Sequence, residues 1–213
     1  MNLDLEKDLL QKEIPSNKWL WKDDKPEVIR NKSIDVEIPL VEEDEITIKK
    51  LIDFVRYSQD PILNNKENKD HLRPAVGLAA PQIGVNKNMF FARFEWKKKR
   101  KNEETGEVEK YIEAEEYAMI NAKIIASSPQ LSYLEGGEGC LSVDKNYEGL
   151  VPRNYKIQVE GYEWLSKKSI NITLRGYRAI VFQHELDHNN GNLYYDRINK
   201  EEPFYAEDDW YVV

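Results

Sequence analysis

The stretch GYRAIVFQHELDHNNG, Gly176–Gly191, decides how the rest of the chain is read. Tyr177, Ile180 and Val181, and after a polar interval Leu186, recur at spacings that gather them along a helix. Asn189-Asn190-Gly191 supplies a C-terminal stop, so the spacing predicts a helix of about three to four turns. Inside it lies His184-Glu185-Leu186-Asp187-His188. Residues i and i+4 share a helix face, so both imidazoles can reach one metal ion. Glu185 is one position further on, about 100° around the helix, within reach of a water on that ion. A divalent ion lowers the pKa of such a water towards about 7, and a neighbouring carboxylate takes and returns its proton. The chain has 3 histidines, and two of them stand in this pattern. A surface helix that carries them by accident is the weaker reading.

Two imidazoles leave a catalytic site short, because such sites usually hold three protein ligands and keep one position open. The extended zincin pattern H-E-x-x-H-x-x-G-x-x-H finds its glycine at Gly191 but has Tyr194 where its third histidine belongs. A downstream carboxylate, Glu201 or Glu202, remains one candidate. The other is Cys140, the only cysteine, inside EGGEGCLSV, Glu135–Val143. A lone cysteine is more often a small buried hydrophobe. Here Gly136, Gly137 and Gly139 surround it, where backbone can approach another group closely and a thiolate can be presented. One sulfur and two nitrogens suit zinc or ferrous iron. A third stretch, VGLAAPQIG (Val76–Gly84), combines small residues with a bend at Pro81. The Gln82 amide reads either as an ordinary loop group or as a donor that steadies a developing oxyanion.

The remainder of the 213 residues frames these stretches. With 31 Lys+Arg against 39 Asp+Glu the formal charge is −8, which argues against broad binding to nucleic acid or anionic membrane. Five Trp, twelve Tyr and six Phe can anchor a sizeable core. One cysteine cannot form an internal disulfide. No segment nears the roughly 18 uninterrupted apolar residues of a membrane helix. The first residues lack a secretory head and apolar run, so the cytoplasm is the expected address. A single domain over residues 1–213 is expected, with 1–25 as an arm or short helix laid over it. EDEITIKKLIDFVRYSQD (Glu43–Asp60) suits a helix from Ile48 onward. PILNNKENKDHLRP (Pro61–Pro74) reads as a surface loop. NMFFARFEW (Asn88–Trp96) and EKYIEAEEYAMINAKII (Glu109–Ile125) read as a long hairpin turning near Thr105-Gly106. YKIQVEGYEW (Tyr155–Trp164) and SINITLR (Ser169–Arg175) read as a second strand pair. The expected fold class is α+β, mostly antiparallel sheets around a central metal-binding helix.

In order, these blocks read Ala75-Val76-Gly77-Leu78-Ala79-Ala80-Pro81-Gln82, Glu138-Gly139-Cys140-Leu141-Ser142 and Gln183-His184-Glu185-Leu186-Asp187-His188. Together they resemble peptide deformylase, the metal hydrolase that removes the formyl group from formyl-methionine at new protein N-termini. Its pattern is G-x-G-L-A-A-P-Q, E-G-C-L-S and Q-H-E-x-D-H. The resemblance spans about residues 26–205. The polar insertion before Val76 and the CLSVD continuation are similar to the longer bacterial subclass.

The resemblance implies that Cys140, His184 and His188 bind the metal and that Glu185 is general base and then general acid. Gln82 and the Leu141 N–H would hold the formyl oxygen. Val76, Tyr177, Ile180 and Val181 would line the methionine pocket, with core packing as the alternative. Backbone at Val76–Gly77 and Gly139 would pair with the extended peptide. The implied partner is an N-formyl-methionyl nascent peptide. The implied cofactor is one divalent ion, Fe2+ in the cell, with Zn2+, Ni2+ or Co2+ accepted in purified protein. A zincin-type metallopeptidase and a module with a closed structural metal site are the rival readings.

The chain departs from the pattern at Ala75, which would be strained if its φ were positive, and at Asn189, where an apolar residue is usual. Lys97–Lys101 reads as a solvated hairpin edge, with a transient ribosome contact as the second reading; DNA and membrane are not expected partners. An ion pair between Glu138 and Arg153 would steady the cysteine loop.

Overall fold

The computed structural model describes residues 8–67, 69–102 and 106–213. In chain order the elements are helices α1 (Pro26–Ile29) and α2 (Glu42–Gln59), then strands β1 (Gly77–Ala79), β2 (Met89–Lys101), β3 (Val108–Ser127), β4 (Leu131–Tyr133), β5 (Arg153–Asn154), β6 (Lys156–Glu163) and β7 (Lys168–Arg175). Helix α3 (Tyr177–Asn189) and strand β8 (Tyr211–Val212) complete the chain.

β2 and β3 pair antiparallel from Met89↔Ile120 out to Lys101↔Val108 and form the spine of the fold. The large sheet runs β1-β2-β3-β6-β7, with every neighbouring pair antiparallel. A small sheet, β5-β4-β8, contains one parallel pair, β4 with β8. The start of β2 is apolar on consecutive residues because both of its faces are covered. Met89 and Phe91 fall in the cluster that holds Ile48, Leu51 and Val55 of α2. Phe90 and Phe94 fall in the cluster that holds Val181, Phe182 and Leu186 of α3. Phe182 meets Phe90 edge-on at 5.1 Å and Tyr117 at 5.2 Å between ring centroids. Those contacts fix α3, and with it the histidine pair, against the sheet.

α2 begins at Glu42, six residues before the apolar periodicity starts at Ile48. Its first turn carries Glu42, Glu43, Asp44 and Glu45; four carboxylates at the positive end of the helix dipole favour helix without apolar packing. The connection after α2 is less superficial than its polarity suggests. Asn64 and Leu72 are buried, and the Asn64 amide donates to the carbonyls of Ser58 (2.8 Å) and Leu72 (2.7 Å). The outer half of the β2–β3 hairpin, Lys97–Lys101, is exposed and paired with residues 108–112; Thr105 of the expected turn lies outside the described residues. Ala75 carries no backbone strain, since among the described non-glycine residues only Asn121 and Lys167 have positive φ. Among the described residues no helix is long and apolar enough to cross a membrane.

Described residues ahead of α1 bond to the body of the fold. Leu10 and Gln11 N–H groups donate to Asp53 on α2 at 3.0 and 3.1 Å. Further along, Trp21 N–H donates to the Gln82 carbonyl (2.8 Å) and Asp23 N–H to the Ser142 carbonyl (2.9 Å). Lys22 Nζ donates to the Leu141 carbonyl at 2.7 Å. Three consecutive arm residues thus tie together the Gln82 and Cys140 loops.

Candidate active site

Gly176, with φ 55° and ψ −131°, turns the chain from β7 into α3 in a conformation that excludes most side chains. The helix then presents His184 and His188 one turn apart on the face towards the Cys140 loop. The ligand atoms of Cys140, His184 and His188 all lie within 4.8 Å of one another. Cys140 Sγ is 3.3 Å from His188 Nε2 and accepts from Ser142 N–H at 3.3 Å and from Gln82 Nε2 at 3.5 Å. His184 Nδ1 meets Glu138 Oε2 at 2.8 Å, which leaves Nε2 for the cluster. Three soft or borderline donors, drawn in from sequence positions 140, 184 and 188, match what one transition-metal ion needs. Glu201 and Glu202 are exposed and stand outside this cluster. Cys140, not a downstream carboxylate, joins the imidazoles.

A buried charge network supports the histidines. Arg153, whose side chain is fully buried, grips Glu138 through Nε–Oε1 (2.8 Å) and Nη2–Oε2 (2.9 Å). Its remaining nitrogen Nη1 reaches Asp187 on α3, and Asp187 also accepts two 2.6 Å bonds from Arg197. Burial works against the Glu138 anion, yet the charge and hydrogen bonds of Arg153 outweigh it and hold the carboxyl down at about 2. Burial likewise opposes charge on His184, but bonds to the Cys140 sulfur and to Glu138 hold it above its ordinary range. Burial and then the His184 charge push His188 down.

Glu185 lies beside this network without joining it. It is 3% exposed, and its Oε2 has no hydrogen-bond partner among the described residues. Burial pushes its carboxyl up to about 7, against the pull of the His184 charge. A Cβ on Gly77 would stand 2.3 Å from Glu185 Oε1; only glycine leaves the carboxylate its place. Gln82 is held the right way round for a donor: its Oε1 accepts from Ala79 N–H at 2.9 Å, which turns the NH₂ towards Cys140.

These groups open onto one cavity of about 190 Å³. Gln82, Cys140, Leu141, His184 and Glu185 form its chemical end. Val76, Gly77, Gly139, Tyr177, Ile180 and Val181 form the rest of the wall considered in the sequence. His188 is 1% exposed and sits behind the wall. Tyr177 and Val181 belong at once to the cavity and to the α3 cluster, with Tyr177 meeting Phe94 edge-on at 6.0 Å. Ala75 and Glu138 also line it. Sequence reasoning did not single out Arg73, Pro74 and Leu134, the remaining wall residues, nor the Asp187–Arg197 arm of the network. Asn189 is buried and donates to Asn88 Oδ1 at 3.1 Å, so a polar side chain at the end of α3 finds a polar partner.

Residues 18–204 match the family model of polypeptide deformylase. The chain belongs to the peptide deformylase family. It is 43% identical to peptide deformylase 2 of Bacillus cereus over 85% of this chain and 90% of that protein. With peptide deformylase 2 of Bacillus subtilis it shares 42% identity, over 83% and 86% of the two chains. Among solved structures, peptide deformylase from Thermotoga maritima superposes with a TM-score of 0.59 at 27% identity, covering 84% of this chain and 96% of that one. Like other deformylases, the protein is a hydrolase that removes the N-formyl group from newly made polypeptides. The family is metal-dependent, and the Cys140–His184–His188 cluster is a set that could hold the ion. Nothing supports a zincin peptidase.

Proposed function

We propose that Cys140, His184 and His188 hold a single divalent metal ion and that Glu185 moves the proton in formyl-group hydrolysis. The donor set fits: one thiol and two imidazoles converge, and an unpartnered carboxylate oxygen is buried beside them. When bound, the ion supplies an acidified water and an electrophile for the formyl oxygen. Glu185, near neutrality by burial, accepts the proton of the attacking water and returns it to the departing amine. Gln82 Nε2 and the Leu141 N–H donate to the formyl oxygen as it gains charge. The methionine side chain rests against Val76, Tyr177, Ile180 and Val181. The Val76–Gly77 and Gly139 backbone pairs with the extended peptide as an added strand would.

Ferrous iron is the expected ion in the cell, with zinc, nickel or cobalt accepted in purified protein. The setting is the cytoplasm, where formylated chains are made, with a transient ribosome contact through Lys97–Lys101. The observation that carries the reading is the unpaired Glu185 carboxylate in the same cavity as the Cys-His-His cluster. Formate release from formyl-Met-Ala-Ser tests it. Glu185→Gln is expected to retain metal and lose at least about a hundredfold in kcat; near-wild-type turnover would refute the role.

A further inference from the structure

Arg73 stands on the wall of the catalytic cavity. It is exposed, whereas the wall's two carboxylates, Glu138 and Glu185, are 8% and 3% exposed. Glu138 is already committed to Arg153 and His184. Outside the Cys140–His184–His188 set, the wall therefore offers a peptide one accessible full charge, and it is positive. The guanidinium lies directly over the backbone of Gly139: a Cβ there would meet Arg73 Nη2 at 2.3 Å and Cζ at 3.5 Å. Gly139 thus leaves room for the guanidinium beside the edge on which an extended peptide would lie. Arg73 makes no ion pair among the described residues, although the chain carries a formal charge of −8. A guanidinium has five donors and no acceptor, and its fork matches a carboxylate in two parallel bonds.

We propose that Arg73 is a specificity-determining residue that favours substrates with an acidic side chain at the second or third position, just after methionine. The formyl group and methionine carry no charge, so the preference must come from the residues that follow. The pair forms in solvent, which limits it to about a two- to fivefold gain, and salt weakens it further. Arg73 stands away from the reacting carbon and contributes equally before and during the chemical step, so the gain appears in KM and leaves kcat unchanged.

The test compares formyl-Met-Asp-Ala and formyl-Met-Ala-Asp with their Asn counterparts, all as C-terminal amides, so that the side chain is the only carboxylate. Formate release by the metal-loaded enzyme is followed at low and high salt. In the wild type at least one Asp peptide is expected to exceed its Asn isostere about two- to fivefold in kcat/KM through KM, with the gap closing in salt. Arg73→Gln is expected to bring that ratio to one, and Arg73→Glu to invert it. Each ratio is taken within one preparation, so partial misfolding cancels. Equal rates on Asp and Asn peptides in the wild type, or a preference that survives Arg73→Gln, would overturn the inference. The inference rests on this cavity being the peptide's path. A preparation that releases no formate from any of the four peptides contradicts that path as well, whereas a charge-blind ratio contradicts only the role of Arg73.

Discussion

Arg153→Met is the most informative perturbation of the supporting network. It deletes a fully buried cation that holds two carboxylates, Glu138 and Asp187. The Glu138 carboxyl moves from 4.5 to about 2 in the folded protein, a difference of about 2.5 units. At 1.36 kcal/mol per unit, the folded state favours the ion by about 3 kcal/mol. That agrees with the roughly 3–5 kcal/mol lost when one partner of a buried pair is removed. Asp187 keeps Arg197, so the lower end of the range is expected. Urea unfolding in excess chelator isolates this loss from metal binding, and about 3 kcal/mol corresponds to about 6–12 °C in Tm for a chain of this size.

The pH dependence has a definite sign. A carboxyl depressed in the folded state stabilises it fully above about 4.5, the unfolded value, and loses that contribution as pH falls towards about 2. Arg153→Met should flatten this acid limb. It should also weaken metal binding about 10–100-fold, because Glu138 orients His184. Glu138→Gln placed on top of Arg153→Met should cost less than it does in the wild type. A stability loss below about 1 kcal/mol, or strictly additive variants, would refute the reasoning.

Three further outcomes follow from the same geometry. Gly77→Ala places a methyl 2.3 Å from Glu185 Oε1 without any positive φ to strain the backbone, so the protein should fold and bind metal but lose about a hundredfold or more in kcat. A fully active Gly77→Ala would show that the carboxylate position is not critical. Burial sets Glu185 at about 7, and a bound cation pulls it down, so kcat/KM should rise with pH along a limb at or below about 7 as the base ionises. A profile flat through that range would contradict the assignment. Cys140→Ala should abolish stoichiometric metal binding, and full metal occupancy in that variant would contradict the ligand set.

Much of this was legible in the sequence, for physical reasons that differ by element. The histidines and Glu185 are close in the chain, and helical periodicity alone places them, so their geometry could be read before any fold was known. Cys140 and Gln82 are remote from them in sequence. Only the resemblance linked all three blocks; periodicity could not. The start of α2 was missed because Glu42–Glu45 favour helix through the dipole and not through apolar spacing. The full Arg153 network is a long-range contact. Glu138 pairing was legible as a guess, whereas the reach to Asp187 depends on how β5 and α3 pack. Arg73 gave no signal at all, since an arginine beside Pro74 reads as loop, and its meaning comes only from lying over Gly139.

X-ray absorption at the metal edge of anaerobically purified protein interrogates the proposed coordination sphere most directly. The account predicts one sulfur neighbour, at about 2.3 Å if the ion is zinc, with two imidazole nitrogens at about 2.0–2.1 Å and a further light atom from solvent. A shell of nitrogen and oxygen alone, unchanged in Cys140→Ser, would contradict it.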